Sequence, residues 1–137
     1  MGHEVLDHTA DTGIEATAHS LAGLIAELSA GMFSLMASVD PALAERWISA
    51  QVEASSAADL VVDCLSELLY RSEVENLLFC DIGVTVAPGT LEAHIDAGGV
   101  PSGSVDLDGA PIKAVTLHDL AVEERADGWY GRVYFDV

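Results

Sequence analysis

The sequence predicts an α+β fold, two helices packed on mixed or antiparallel sheets. Three observations carry this expectation. Two stretches repeat apolar residues at helical spacing, several others alternate apolar with polar residues, and the pairs Pro88-Gly89 and Asp127-Gly128 mark turns beside alternating stretches.

The first helix follows Ser20, an N-cap residue type, and carries Leu21, Leu24, Ile25, Leu28, Met32, Leu35 and Met36 along one stripe. In the second, Leu60, Val61, Cys64, Leu65, Leu68 and Leu69 form the stripe. Ser56 and Asp59 precede it at capping-box spacing, and Glu67 and Arg71 stand one turn apart on its wet side. Ile14, Ala16 and Ala18 share one face of an early strand. Leu78, Cys80, Ile82, Val84 and Val86 share a face of another, which Pro88-Gly89 turns into Leu91, Ala93, Ile95 and Ala97 as a hairpin. Residues 98–111 hold Gly, Pro, Ser and Asp and read as a long loop. Strand signals return at 112–118 and 120–125, and Asp127-Gly128 reads as a tight turn. The last strand sets Trp129, Val133, Phe135 and Val137 against Tyr130, Arg132, Tyr134 and Asp136. The order is strands, helix, strand, helix, then antiparallel strands. A degenerate internal repeat of two halves stays open.

Residues 1–137 fit one domain large enough to bury a core without disulfides or a structural metal. Half the residues are hydrophobic and a fifth charged, a globular composition. The 23 acidic residues against 5 Lys and Arg give a formal net charge of -18. This excess argues against strong direct nucleic-acid binding, which needs clustered cations. It favours cations or a basic protein partner, or else expresses only a general preference for acidic surfaces. Cys64 and Cys80 form no CxxC pair and both fall on apolar faces, as reduced buried thiols would. No apolar run approaches the ~18 residues of a membrane span and no signal peptide is apparent, so a cytoplasmic protein without membrane contact is expected.

Asp7, His8, Thr9 and Asp11 concentrate ligand-type atoms just before Gly13. Taken alone, Asp11 reads as a turn or cap former and His8 as a hydrogen-bonded structural histidine. The other end of the chain adds a reason for chemistry. If the final strand is tied into a sheet, the Asp136 side chain and the Val137 carboxylate are fixed close together. Neighbouring like charges are costly unless a cation lies between them. Oxygen donors of this kind suit calcium or magnesium, and Asp11 would complete a site; otherwise Asp136 merely faces water. Lys113, the only lysine, is a candidate for neutralising a carboxylate, touching a phosphate, or simply lying in solvent. His118-Asp119 reads as a hydrogen-bonded pair, a ligand pair or a turn. Phosphate loops, nucleophile elbows and HExxH are absent, which disfavours a stand-alone enzyme.

These residues resemble a known family. Asp7-His8-Thr9-Ala10-Asp11 followed by Gly13 looks like the N-terminal signature of archease. Glu67-Leu68-Leu69-Tyr70 with Glu75 and Phe79 is similar to its second-helix segment, Lys113-Ala114-Val115-Thr116 with His118 to its Lys-bearing strand, and Phe135-Asp136-Val137 to its closing residues. The resemblance implies an activator, not an enzyme. The implied partner is the tRNA-splicing RNA ligase, which joins ends bearing a 3′-phosphate or 2′,3′-cyclic phosphate. The activator promotes guanylylation of the ligase histidine and multiple turnover. The resemblance also implies a divalent cation held by Asp11, Asp136 and Val137, with Ca2+ favoured and Mg2+ or Mn2+ open. Lys113 is implied in activity, and Asp7, His8 and His118 are candidate partner contacts. An alternative role is a chaperone-like modulator of a tRNA methyltransferase or other RNA-processing enzyme. Two positions depart from the pattern: Thr12 replaces a usual Ile or Val, and Leu117 replaces a usual Tyr.

Overall fold

A computed structural model describes residues 2–7, 12–107, 109 and 111–137. The order is β1 (His3–Asp7), β2 (Thr12–Ala18), α1 (Leu21–Ser34), β3 (Arg46–Glu53), α2 (Ala57–Glu75), β4 (Leu77–Val86), β5 (Glu92–Pro101), β6 (Ala114–Val115), β7 (Ala121–Arg125) and β8 (Gly128–Asp136). The strands make two sheets, and all their pairings are antiparallel. The first runs β1-β2-β8-β6, with β7 also on β8; the second runs β3-β5-β4. This is the expected α+β architecture.

Both helices begin where the side chains dictate. Ser20 Oγ accepts from the Gly23 N–H at 3.0 Å, and Ser56 Oγ from the Asp59 N–H at 3.1 Å. Each cap satisfies a donor that the first turn leaves open. Ser56→Ala is expected to cost about 1 kcal/mol, read as a lower urea midpoint with an unchanged slope. Helix α2 ends on Asn76, which takes the left-handed conformation at φ 54°. Asn tolerates that region better than most residues. Glu67 and Arg71 approach to 4.0 Å across one turn, as their spacing suggests.

Both helices pack on both sheets. Leu24, Leu28, Leu65 and Leu68 from the helices meet Ile14, Val133 and Phe135 from the first sheet and Leu77, Phe79 and Ile95 from the second. Cys64 lies fully buried in this core. Burial, aided by the Asp63 carboxylate, pushes its thiol from 9.0 up to about 12. Because the folded value exceeds the unfolded one, the unfolded thiol ionises first as pH rises. This contribution to stability is intact below pH 9 and is lost progressively between 9 and about 12. At pH 8 the native Cys64 thiol is accordingly expected to react with iodoacetamide only as fast as the chain unfolds, measured by mass per residue.

Four expectations need correction. The loop expected from Gly98 does not begin there: β5 continues through Pro101, and only then does a short 3-10 turn follow. The glycines serve close approach instead of turning. A Cβ on Gly98 would lie 2.5 Å from the Trp47 ring, which covers that stretch of backbone. The strand expected over 112–118 shrinks to Ala114–Val115, because the chain bulges away from β8 beyond the Thr116 N–H. Cys80 is half-buried, not enclosed; it sits at the register shift between Phe79 and Asp81. The last turn lies one residue earlier than expected: Arg125 pairs with Gly128 around Ala126-Asp127. Gly128, at φ 143°, passes Ala18 so closely that a Cβ would stand 2.3 Å from the carbonyl oxygen.

Candidate functional site

Strand β8 organises the candidate residues. On one side it pairs with β2, where Thr12 opposes Phe135. On the other side it pairs with β6, where Ala114 opposes Asp136 and Val115 opposes Phe135. The Lys113 N–H also donates to the Asp136 carbonyl at 2.8 Å, and the Thr116 N–H to the Tyr134 carbonyl at 2.9 Å. The backbone around Asp136 is thus held between two neighbours, which gives the carboxylate a fixed base. Asp136 is exposed, and Val137, just beyond the strand, is 43% exposed.

The hairpin of β1 and β2 approaches the same end of the sheet. Asp7 pairs with Thr12 through the backbone, and Thr12 in turn opposes Phe135. Asp11, bonded covalently to Thr12, and His8 lie outside the described residues, so their ligand and contact roles are carried by the sequence alone. Among the described residues no three His, Cys, Asp or Glu side chains gather as a metal cluster. The exposed Asp136 carboxylate is a hard oxygen donor of the kind calcium and magnesium take.

Lys113 and His118 occupy different surroundings. Lys113 is exposed and lines a groove of about 230 Å³ between α2 and β6, with Tyr70, Glu73 and Leu69 along the helix side. His118 belongs to a bulge. Between the β6 and β7 pairings, residues 116–120 stand against only Val133 and Tyr134 of β8. Two hydrogen bonds and one backbone conformation shape this protrusion. The His118 N–H donates to Thr116 Oγ1 at 3.3 Å, Arg132 Nε donates to the Asp119 carbonyl at 2.9 Å, and Asp119 is left-handed at φ 49°. His118 Nε2 lies 3.3 Å from Asp119 Oδ2, so the two adjacent side chains meet within a turn. Leu117, at the tip, is 70% exposed.

Tyr134 is the residue that alternation misplaced. It falls on the polar side of β8 yet is buried, with its ring over Gly13 and edge-on to His118 at 6.0 Å between centroids. The signal was the glycine: a Cβ on Gly13 would stand 2.7 Å from the Tyr134 ring. Farther along this face, Tyr130 donates to Glu15 Oε2 at 2.8 Å beside an open groove of about 360 Å³. Burial and the Glu15 hydrogen bond raise the phenol above its usual range.

Comparison with known proteins bears on the family and the fold. The archease protein family model matches residues 3–137. Protein archease of Methanopyrus kandleri is 28% identical over 142 residues, covering 100% of both chains. That of Methanosarcina barkeri is 29% identical over 140 residues, covering 98% of this chain and 95% of its own. The solution structure of protein 1598 of Methanobacterium thermoautotrophicum superposes with a TM-score of 0.80 at 25% identity, over 99% of each chain. The crystal structure of a Thermotoga maritima archease, described as a possible chaperone, matches in fold with a TM-score of 0.70 at 20% identity, over 96% and 94%. No described helix is long and apolar enough to cross a membrane. The chain belongs to the archease family.

Proposed function

We propose that this chain activates the tRNA-splicing RNA ligase, promoting its guanylylation and repeated turnover, and that it is not itself an enzyme. Family membership over residues 3–137 supports the reading most directly. The structural support is the junction of β2, β8 and β6, where Thr12, the neighbour of Asp11, opposes Phe135, the neighbour of Asp136. Asp11, Asp136 and the Val137 carboxylate are the proposed ligands of a divalent cation, calcium first and magnesium or manganese by the same chemistry. Such a cation would supply positive charge between clustered carboxylates and a Lewis-acidic contact for phosphate oxygens. The protein's own contribution is placement: Lys113 N–H and β6 fix the Asp136 backbone, and β2 pairs with the neighbouring Phe135. Lys113 offers a compact cation at the same strand junction, suited to a phosphate or carboxylate of the partner. Asp7, His8 and His118 are proposed as partner contacts. A net charge of -18 favours a protein partner over direct RNA binding.

The test adds the purified protein to a cognate ligase with GTP and divalent metal, and counts covalent guanylate and product per ligase. The wild type raises both, and Asp11→Ala and Asp136→Ala do not. Equal yields with and without the protein would sink the reading. Recovery of a methyltransferase and no ligase in a pull-down would favour the chaperone-like alternative.

A further inference from the structure

The second sheet has a face that the ligase reading leaves unused. Its inner side, with Ala93, Ile95 and Ala97, is packed under the helices, while alternate residues from His94 and Asp96 point away and are exposed. By register, Trp47, Ser49, Gln51 and Glu53 of β3 share that outward face with Glu92 and Asp96 of β5. Asp81, Gly83 and Thr85 of β4 complete it. Two features set it apart from an ordinary wet sheet face.

The first is Trp47. Its ring covers the Gly98 backbone, where no side chain intervenes, and still leaves the residue 54% exposed. Covering a strand glycine accounts for one side of the ring. The other side is a rigid aromatic surface, with the side-chain-free Gly83 two strands away on the same face. The second is charge. Glu53 and Glu92 are direct cross-strand partners, an arrangement that repels. Asp96 accepts from Ser49 Oγ at 2.7 Å, and Gln51 donates to Glu92, so these carboxylates are held in place. The only arginine of β3, Arg46, alternates off this face and pairs with Glu75 at 3.5 Å. Four carboxylates and an exposed indole therefore share one surface with His94 as its single basic side chain.

We propose that this face docks a basic, arginine-bearing segment of a partner protein. One guanidinium lies over the free side of Trp47, and neighbouring cations meet Asp96, Asp81 and the Glu53–Glu92 pair. Charge complementarity selects the occupant. An acidic face repels nucleic acid and anionic lipid, and Arg combines a planar cation with stacking on indole. The proposal is independent of the ligase reading and of the Asp136 end of the first sheet.

Fluorescence tests it, because the chain has two tryptophans. Trp129→Phe leaves Trp47 as the reporter, and an eight-residue peptide alternating Arg and Ser is the probe. Saturable change of Trp47 emission is expected, weaker with the Lys-Ser analogue. Asp81→Asn with Asp96→Asn should weaken binding roughly three- to tenfold. Removing the same charge from the first sheet, by Glu4→Gln with Glu124→Gln, should leave it within about twofold, unlike a response to net charge alone. Three results would overturn the proposal: no change at Trp47, equal weakening by the two double variants, or a single-stranded RNA oligomer that binds at Trp47 as well as the peptide.

Discussion

Phe79→Ala is expected to lower stability by about 3–5 kcal/mol. Phe79 is 2% exposed and meets Phe33 of α1 edge-on, with centroids 5.4 Å apart and planes at 86°. It sits where β4 shifts register against β5, so its ring fixes both the irregular strand and the helix above it. Truncation would remove buried apolar area, leave a cavity and break an aromatic pair worth about 1 kcal/mol beyond its area. A domain of this size holds about 5–15 kcal/mol in total, so the loss is a large fraction. Urea denaturation should show a lower midpoint with an unchanged slope. A change below about 1 kcal/mol would mean that this contact does not hold α1 against the second sheet.

Asp136→Ala has the largest expected functional effect. The carboxylate is exposed at the end of β8, while the backbone at that position is bonded by Lys113. Metal-free stability should therefore stay within about 0.5 kcal/mol of wild type. The cation-dependent part should vanish. With calcium at 100 times its dissociation constant, the wild type gains about 2.7 kcal/mol and the variant none. Stimulation of ligase guanylylation should drop by more than roughly a hundredfold, because losing a ligand exceeds the cost of losing an outer-shell partner. Thermal unfolding with and without calcium, run beside the guanylylation assay, separates a site lesion from a folding lesion. A variant that unfolds without metal, or one that keeps its calcium response, would contradict the assignment.

The helices were readable because each signal is local. Ser20 and Ser56 cap the turns that follow them, and the leucine stripes leave one face to bury. Alternation likewise placed Ile14, Ala16 and Ala18 on the buried side of β2. What sequence spacing missed depends on partners distant in the chain. Gly98 looks like a loop residue until Trp47, fifty-one positions away in sequence, is seen to lie on it. Tyr134 looks exposed by alternation until Gly13 gives it a floor. The bulge of residues 116–120 follows from the register of β6 and β7 along one edge of β8, which no single strand reveals. For the candidate site, the motifs named the residues and the structure supplied the junction of β2, β8 and β6. Asp11 and His8 stand on the sequence motif, since they lie outside the described residues.

The most direct test of the account is a calorimetric calcium titration of the wild type, Asp11→Ala and Asp136→Ala. The predicted result is one site in the wild type that neither single variant retains. Wild-type calcium binding by Asp11→Ala would contradict the claim that the first hairpin and the last strand share one cation.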